Sequence, residues 1–307
     1  MQLPDFPDLT PEILQSLLEQ HQLAGLDITP LPQTGIFNRV YDLGGKWILR
    51  IPRNAPPFIE ALTKESVAVP ALTAAGVTTP ELRFFDGSLQ ILPVPYSIYE
   101  KVNGVNLESL QRSPAENAEV WEQVGRELVK VHHLPDPTAV QGLHLEDVGS
   151  PEDWIEGFAT DGHFTLEEAR WLQSWVARLK PYVLPPEHHT FRHGDMQGTN
   201  VMVDSKGEFA ALIDWGACGW GDPAHDLVGV PLQASQNMLE AYRKIQPLPD
   251  DETAEARILL MNLQHLCFLI PRPALKEVSW AERPMSRWLD MVRHVNLLTS
   301  GNWKKFL

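Results

Sequence analysis

The sequence is short of several things, and each shortage excludes something. Two cysteines, Cys218 and Cys267, are too few for a disulfide framework and suit a reducing compartment. Cations are scarce: Lys and Arg total 25 against 40 Asp and Glu, a formal net charge of −15. That balance argues against nucleic acid or an anionic membrane as the main partner and leaves room for a cationic small molecule. The start, Met1-Gln2-Leu3-Pro4-Asp5, lacks the basic and apolar regions of a secretion signal. The longest apolar run, Ile258 to Ile270, is interrupted by Asn262, Gln264 and His265 and is too short to span a bilayer. A soluble, cytoplasmic protein is the expectation. Internal repeats and low-complexity segments are missing as well.

What is present suffices for a large core. The chain has 307 residues, 43% of them hydrophobic and 21% charged, room for two coupled lobes. Thr10-Pro11-Glu12 opens a helix with Ile13, Leu14, Leu17 and Leu18 on one face. Residues 28–51 turn to strand-type residues, with Gly44-Gly45 as a two-residue hairpin signal. Helical spacing returns over 58–75, followed by strands near Leu82–Phe85, Leu89–Leu92 and Tyr96–Val102. From about Leu107 helices dominate: Glu116–His132, Asp153–Phe158, Leu166–Leu179, Asn237–Ile245, Ala254–Ile270 and Met285–Leu298. Two short strands, Val201–Val203 and Phe209–Ile213, interrupt them. The layout predicts an α+β protein with a β-rich N-terminal lobe over 1–102 and a mostly helical C-terminal lobe over 103–307, joined at Asn103-Gly104.

The chemistry concentrates in Phe191-Arg192-His193-Gly194-Asp195-Met196-Gln197-Gly198-Thr199-Asn200, followed by Ile213-Asp214-Trp215-Gly216. This is the logic of phosphoryl transfer. A loop Asp receives the acceptor hydroxyl's proton, and an Asn five positions later and a strand-end Asp hold Mg²⁺. A tight loop puts Asp195 at the mouth, Asn200 enters the next strand, and the following hairpin returns Asp214 beside it. Mg²⁺ keeps several waters, so one amide and one carboxylate suffice alongside phosphate oxygens.

In these residues the chain resembles the aminoglycoside phosphotransferase and choline-kinase-like small-molecule kinases. The family pattern stands here as His193-Gly194-Asp195, Asn200, Ile213-Asp214-Trp215, Gly221-Asp222-Pro223 and Asp226-Leu227. The resemblance implies a protein-kinase-like two-lobed fold, ATP or GTP with Mg²⁺ as cofactors, and a catalytic Asp195 with Asn200 and Asp214 on the metal. Upstream, Thr34-Gly35-Ile36-Phe37-Asn38-Arg39-Val40-Tyr41 looks like the family's first hairpin, whose turn covers the phosphates, which gives Gly35, Phe37 and Asn38 a binding role. It has one glycine rather than the Gly-x-Gly-x-x-Gly of protein kinases. Arg50 stands where many members present a Lys to the phosphates; a guanidinium keeps the charge and adds a bidentate geometry. Glu65 is the candidate helix acid that orients it, with Glu60 as the alternative one turn away. Tyr99 to Gly104 matches the hinge, where Glu100 and Val102 would meet the base through their backbone. His132 ends a helix as a structural support, and Asp222 and Asp226 brace the lobe.

Some features stay outside that pattern. His188, His189 and His193 suggest a metal hydrolase, although no second cluster completes a ligand set. Residues 141–169 carry eight acids and no Lys or Arg, an acidic wall suited to a cationic acceptor or simply a solvated face. The tail from Asn302 is basic, whereas some aminoglycoside kinases use an acidic one. The expected activity is transfer of a nucleotide's γ-phosphoryl group to a small-molecule hydroxyl. An aminoglycoside or other cationic antibiotic comes first, then a metabolite such as a sugar, a choline-like amino alcohol or homoserine. A catalytically idle ligand sensor is the rival from another class.

Overall fold

The computed structural model describes residues 3–32, 35–144, 149–270 and 302–306. Helix α1 (Pro11–Gln20) starts where the sequence places it: the Thr10 hydroxyl accepts the Ile13 N–H at 3.3 Å, and Pro11 sits in the first turn. Strands β1 (Ile28–Pro30), β2 (Asn38–Leu43), β3 (Trp47–Pro52), β4 (Leu82–Asp86) and β5 (Tyr96–Glu100) form one antiparallel sheet in the order β1-β2-β3-β5-β4. The β2–β3 hairpin pairs Leu43 with Trp47, so its loop has three residues, Gly44, Gly45 and Lys46, instead of the expected two. Both glycines take positive φ, 59° and 71°, and the Asp42 carboxylate accepts the Gly45 N–H at 2.6 Å, which closes the longer turn.

The strand expected over Leu89–Leu92 does not form. Asp86 accepts the Ser88 N–H at 2.7 Å in a tight side-chain turn, and Leu89 sits at φ 57°, incompatible with extension. Helix α2 (Pro56–Ala74) follows β3 and buries Leu62, Glu65, Ala68, Val69 and Leu72.

The remainder is mostly helical: α3 (Ala118–His132), α4 (Pro151–Thr160), α5 (Leu166–Leu179), α6 (Leu232–Arg243) and α7 (Ala254–Leu269). Short strands serve the loops between them. β6 (Val105–Asn106), β8 (Val201–Val203) and β9 (Phe209–Leu212) form one small sheet, and β7 (Thr190–Arg192) pairs with β10 (Gly219–Gly221) in another. The expected helix Met285–Leu298 lies outside the described residues. Among the described residues no helix is long and apolar enough to cross a membrane.

Two apolar cores result. The smaller joins α1 to the sheet through Leu17, Leu18, Tyr41, Leu43, Leu49, Ile51, Tyr96 and Ile98. The larger fills the helical part and also takes Ala68, Val69 and Leu72 from α2 and Tyr99 from β5. Helix α2 therefore spans the two halves. Polar links follow the same seam: Leu212 N–H donates to the Thr78 carbonyl, and the Trp215 indole donates to Thr79 Oγ1, each at 2.9 Å. Cys218 and Cys267 are buried free thiols, each pushed up to about 12 by desolvation.

Candidate active site

Strand alternation positions the first candidate. Leu49 and Ile51 of β3 point into the small core, so Arg50 points to the other face, toward α2. There its guanidinium divides: Nη1 donates to Glu65 Oε2 at 2.6 Å and Nη2 to Asp214 Oδ1 at 2.7 Å. Glu65 is 2% exposed and also accepts the Tyr99 hydroxyl at 2.9 Å. Glu60 is solvent-exposed, so α2 brings Glu65 to Arg50 and leaves the alternative outside. Desolvation penalises the Glu65 charge, and Asp214 adds repulsion. Against the pull of Arg50, its carboxyl is pushed up to about 7. Burial likewise opposes the charge on Asp214, but Arg50 prevails and holds it below the usual carboxylate range.

Asp214 leaves β9 in the left-handed region, at φ 67° and ψ 66°. Asp tolerates this better than most residues, yet the conformation is unfavourable for any side chain with a Cβ. It lets the chain turn immediately after the strand, with the carboxylate on Arg50 and its side chain still 43% exposed.

The loop between β7 and β8 is held from below. The buried Asp226 carboxylate accepts the His193 N–H at 2.6 Å and the Gly194 N–H at 2.8 Å. His132 Nε2 lies 3.2 Å from the same carboxylate, and its Nδ1 lies 3.2 Å from the Tyr242 hydroxyl. Burial alone would raise the Asp226 carboxyl; the His132 hydrogen bond and the fields of His132, His193 and Arg192 hold it well below the usual range. His193 reaches the Ile213 carbonyl at 3.0 Å through Nε2, and its Nδ1 accepts the Asp195 N–H at 3.3 Å. Gly194 has φ +85°, and a Cβ there would lie 2.1 Å from the Ala217 carbonyl oxygen, so the sequence has glycine where backbone passes backbone.

Asp195 and Asn200 close on each other. Asn200 Nδ2 donates to the Asp195 carbonyl at 2.7 Å and to its Oδ2 at 3.1 Å; Gln197 Nε2 donates to the same Oδ2 at 2.9 Å. The Ile213 N–H donates to the Asn200 carbonyl at 3.0 Å, which stitches this loop to the Asp214 turn. Desolvation and the nearby Asp214 charge raise the Asp195 carboxyl above its ordinary value, despite His193 and the two amide donors. Asp222 caps the turn at Pro223–Leu227 through the Ala224 N–H at 2.8 Å and pairs with the fully buried Arg257 at 2.9 Å.

The donor set suits a hard cation. Asn200 commits its Nδ2 to Asp195, which leaves the amide oxygen as its ligand atom, and the Asp214 carboxylate is partly open. The histidines do not converge: His188 Nδ1 faces the Asp250 carboxylate at 3.5 Å, while His193 lies under the loop. Among the described residues no group of three or more His, Cys, Asp or Glu side chains is placed to hold a metal ion.

Other candidates are more scattered. Phe37 is 40% exposed and stacks edge-on against Phe58, Asn38 is buried at the start of β2, and Gly35 is exposed. At the hinge, Glu100 is exposed and its N–H donates to the Glu81 carbonyl, while the Lys101 N–H donates to the Lys46 carbonyl, both at 2.9 Å. That leaves Val102 as the next backbone position toward the helical half. In the acidic stretch, Glu152 pairs with Lys180 at 2.7 Å and Glu168 caps α5 through Thr165. Asp153, Glu156, Asp161 and Glu167 are exposed, and Glu146 and Asp147 lie outside the described residues. The basic tail is docked: Trp303 and Phe306 are buried, and the Trp175 indole donates to the Phe306 carbonyl at 3.1 Å.

Sequence reasoning placed Tyr99 in the hinge but missed its contact with Glu65, and it missed Gln197 and Tyr242. Each is a polar side chain whose partner is remote or conformationally determined; only Gln197, inside the loop motif, carried a local signal.

An antiparallel five-stranded sheet, a helix acid on a strand cation, and a helical half carrying an Asp–Asn loop and a strand-end Asp define a protein-kinase-like α+β fold. The model of the APH phosphotransferase enzyme family matches residues 27–257, and the chain belongs to that family. The GDP complex of aminoglycoside 2'-phosphotransferase-IIIa superposes with a TM-score of 0.65 at 17% identity, covering 92% of this chain and 98% of that one. Macrolide 2'-phosphotransferase MphH from Brachybacterium faecium gives 0.59 at 19% identity, over 85% and 90% of the two chains. The streptomycin–ATP complex of APH(2'')-IIa gives 0.53 at 13% identity over 98% and 99%. At such identities the likeness is one of fold. No curated protein matches the sequence.

Proposed function

We propose that this chain transfers the γ-phosphoryl group of ATP or GTP to a hydroxyl of a small molecule. The observation that carries the reading is the unbroken chain of contacts from Glu65 through Arg50 to Asp214, and from the Asp214 turn through Asn200 to Asp195. It supports reading Arg50 as a phosphate-directed cation, Asn200 and Asp214 as oxygen ligands and Asp195 as a carboxylate base.

In this reading Asp195 orients the acceptor hydroxyl and takes its proton. Gln197 and Asn200 hold its Oδ2, which leaves Oδ1 for the hydroxyl. The raised carboxyl makes it a better proton acceptor than a surface aspartate. Asn200 Oδ1 and Asp214 would hold Mg²⁺, which when bound neutralises and aligns the phosphate oxygens. Glu65 holds Arg50 Nη1, and Nη2, which donates to Asp214, is the arm that would turn to the phosphates. Gly35, Phe37 and Asn38 would cover the phosphates, and the backbone of Glu100 and Val102 would receive the base. The two lobes that would enclose the site are 1–102 and 103–307. Positioning and charge neutralisation carry most of the rate.

For the acceptor, a hydroxylated antibiotic is the first choice. Aminoglycosides lead, because neighbours of the same fold are complexes with kanamycin, streptomycin and gentamicin. A macrolide comes second, from the macrolide phosphotransferases of that fold. Exposed acids on α4 and α5 suit a cationic acceptor. The test is nucleotide consumption across antibiotics and metabolite alcohols with mass spectrometry of the products. A phosphorylated aminoglycoside or macrolide supports the reading, phosphorylation of a metabolite alone moves the acceptor, and nucleotide binding with no product from any acceptor overturns it in favour of a sensor.

A further inference from the structure

The segment before α1 lies upstream of the family match, which begins at residue 27, and it is fastened to the backbone that precedes β2. Arg53, one residue beyond β3, is the fastener. Its Nε donates to the Ile36 carbonyl and its Nη1 to the Pro4 carbonyl, both at 2.6 Å, and its own N–H donates to the Phe37 carbonyl at 3.1 Å. The Phe6 ring lies under the Arg53 guanidinium at 4.1 Å and under that of Arg39 at 4.8 Å. The Asn54 N–H donates to the Asp5 carbonyl at 3.0 Å, Pro7 is buried, and Leu9 packs against the small core.

The consequence follows from peptide geometry. In a trans peptide the carbonyl of one residue and the N–H of the next point in opposite directions. By holding the Ile36 carbonyl, Arg53 turns the Phe37 N–H to the opposite side, and the second carbonyl at Phe37 sets the next peptide plane. Ile36 and Phe37 are 54% and 40% exposed, so little core packing sets those planes in place of Arg53. Arg53 in turn is oriented by the Pro4 carbonyl and the Phe6 ring. A cation over an aromatic face is a directional contact, and it pins a long side chain that otherwise samples many rotamers.

We propose that residues 4–6 are a positioning strap for nucleotide phosphates, acting through Arg53 on the Ile36–Phe37 peptides. The proposal rests on the nucleotide site described above. Arg53 and Phe6 are positioning residues and do not touch the reacting atoms.

The test compares Phe6→Ala and Arg53→Lys with the wild-type full chain, using calorimetric titration with MgATP and MgGTP and, separately, with adenosine and guanosine. Phe6→Ala removes no charge, so direct attraction between protein and phosphate is unaltered. The expected result is about tenfold weaker binding of the triphosphates in both variants with nucleoside binding unchanged. Phe6→Trp, which keeps an aromatic face, restores triphosphate affinity. Equal triphosphate affinity in wild type and variants overturns the proposal alone. Equal losses for nucleoside and triphosphate also overturn it, since they report general damage. A wild-type chain that binds no nucleotide overturns the nucleotide-site reading and the strap with it.

Discussion

In the proposed function residues 193–200 and residues 35–37 both serve the phosphate end of the site, and they are held in different ways. In the first, a buried carboxylate fixes two successive backbone N–H groups, a histidine bridges to the neighbouring turn, and Asn200 ties back to Asp195. In the second, exposed residues hang from one arginine side chain and its backbone N–H. Groups that exchange a proton or hold a metal need placement within a fraction of an ångström, whereas a segment that closes over a ligand must open again to release it. Burial of polar contacts supplies the first and solvent exposure the second.

The contrast breaks most sharply at Asp195. Replacing it by Asn keeps the shape, but the amide oxygen must take the Oδ2 place to accept from Gln197 and Asn200, which turns the NH2 toward the acceptor hydroxyl and removes the proton acceptor. Turnover with a true acceptor is expected to fall by about 10³-fold while thermal unfolding is unchanged. Wild-type turnover in this variant would remove the base assignment.

Gly194→Ala attacks the scaffold rather than the chemistry. The new Cβ would meet the Ala217 carbonyl oxygen at 2.1 Å with φ at +85°, so backbone must move. A stability loss of about 2–4 kcal/mol is expected in urea unfolding, of the size seen for strained backbone and core overpacking. A loss below about 0.5 kcal/mol, the range of neutral surface changes, would mean that the 193–200 loop is far more pliable than its contacts imply.

The two buried carboxyls give opposite pH signatures. Asp226 is depressed, so its stabilisation is present above the unfolded value of about 3.9 and is lost as pH falls below it. Glu65 is raised to about 7, so the folded state holds an extra proton between about 4.3 and 7, and stability from this group declines as pH rises through that window. Its function runs the other way, since only the ionised form orients Arg50 by charge. MgADP affinity is expected to rise as pH increases from 6 to 8, by roughly tenfold at most, the change that one protonation permits per pH unit. Glu65→Gln should flatten that profile. A profile that keeps its slope in Glu65→Gln assigns the titration to another group.

The legibility of the molecule follows the range of its interactions. Helices α1 and α5 and strand β8 were readable because caps and periodicity are local. So were the order and spacing of Asp195, Asn200 and Asp214, because loop and strand lengths set them. The strand at Leu89–Leu92 was misread because apolar composition cannot reveal that Ser88 folds back onto Asp86 and forces Leu89 to positive φ. The partners of Glu65 were half legible. Helical spacing left Glu60 and Glu65 open, and only the packing of α2 against both cores decides between them. Tyr99 on Glu65 and Tyr242 near His132 depend on contacts between distant segments, which a periodic pattern does not encode.

The smallest expected effect sharpens the comparison most, because it separates two glycines that look alike in the sequence. Gly35 precedes the exposed segment as Gly194 precedes Asp195, yet among the described residues, its chain neighbours aside, a Cβ at Gly35 would meet no atom within 4 Å, and its φ is not in the left-handed region. Gly35→Ala should therefore leave unfolding free energy within about 0.5 kcal/mol of wild type, the range of surface changes. Any functional cost should fall on triphosphate affinity, because in the proposed function the methyl would add bulk where the phosphates approach. If Gly35→Ala destabilises the fold as Gly194→Ala does, the segment before β2 is packed as tightly as the catalytic loop. The division of labour between a fixed loop and a yielding one would then fail.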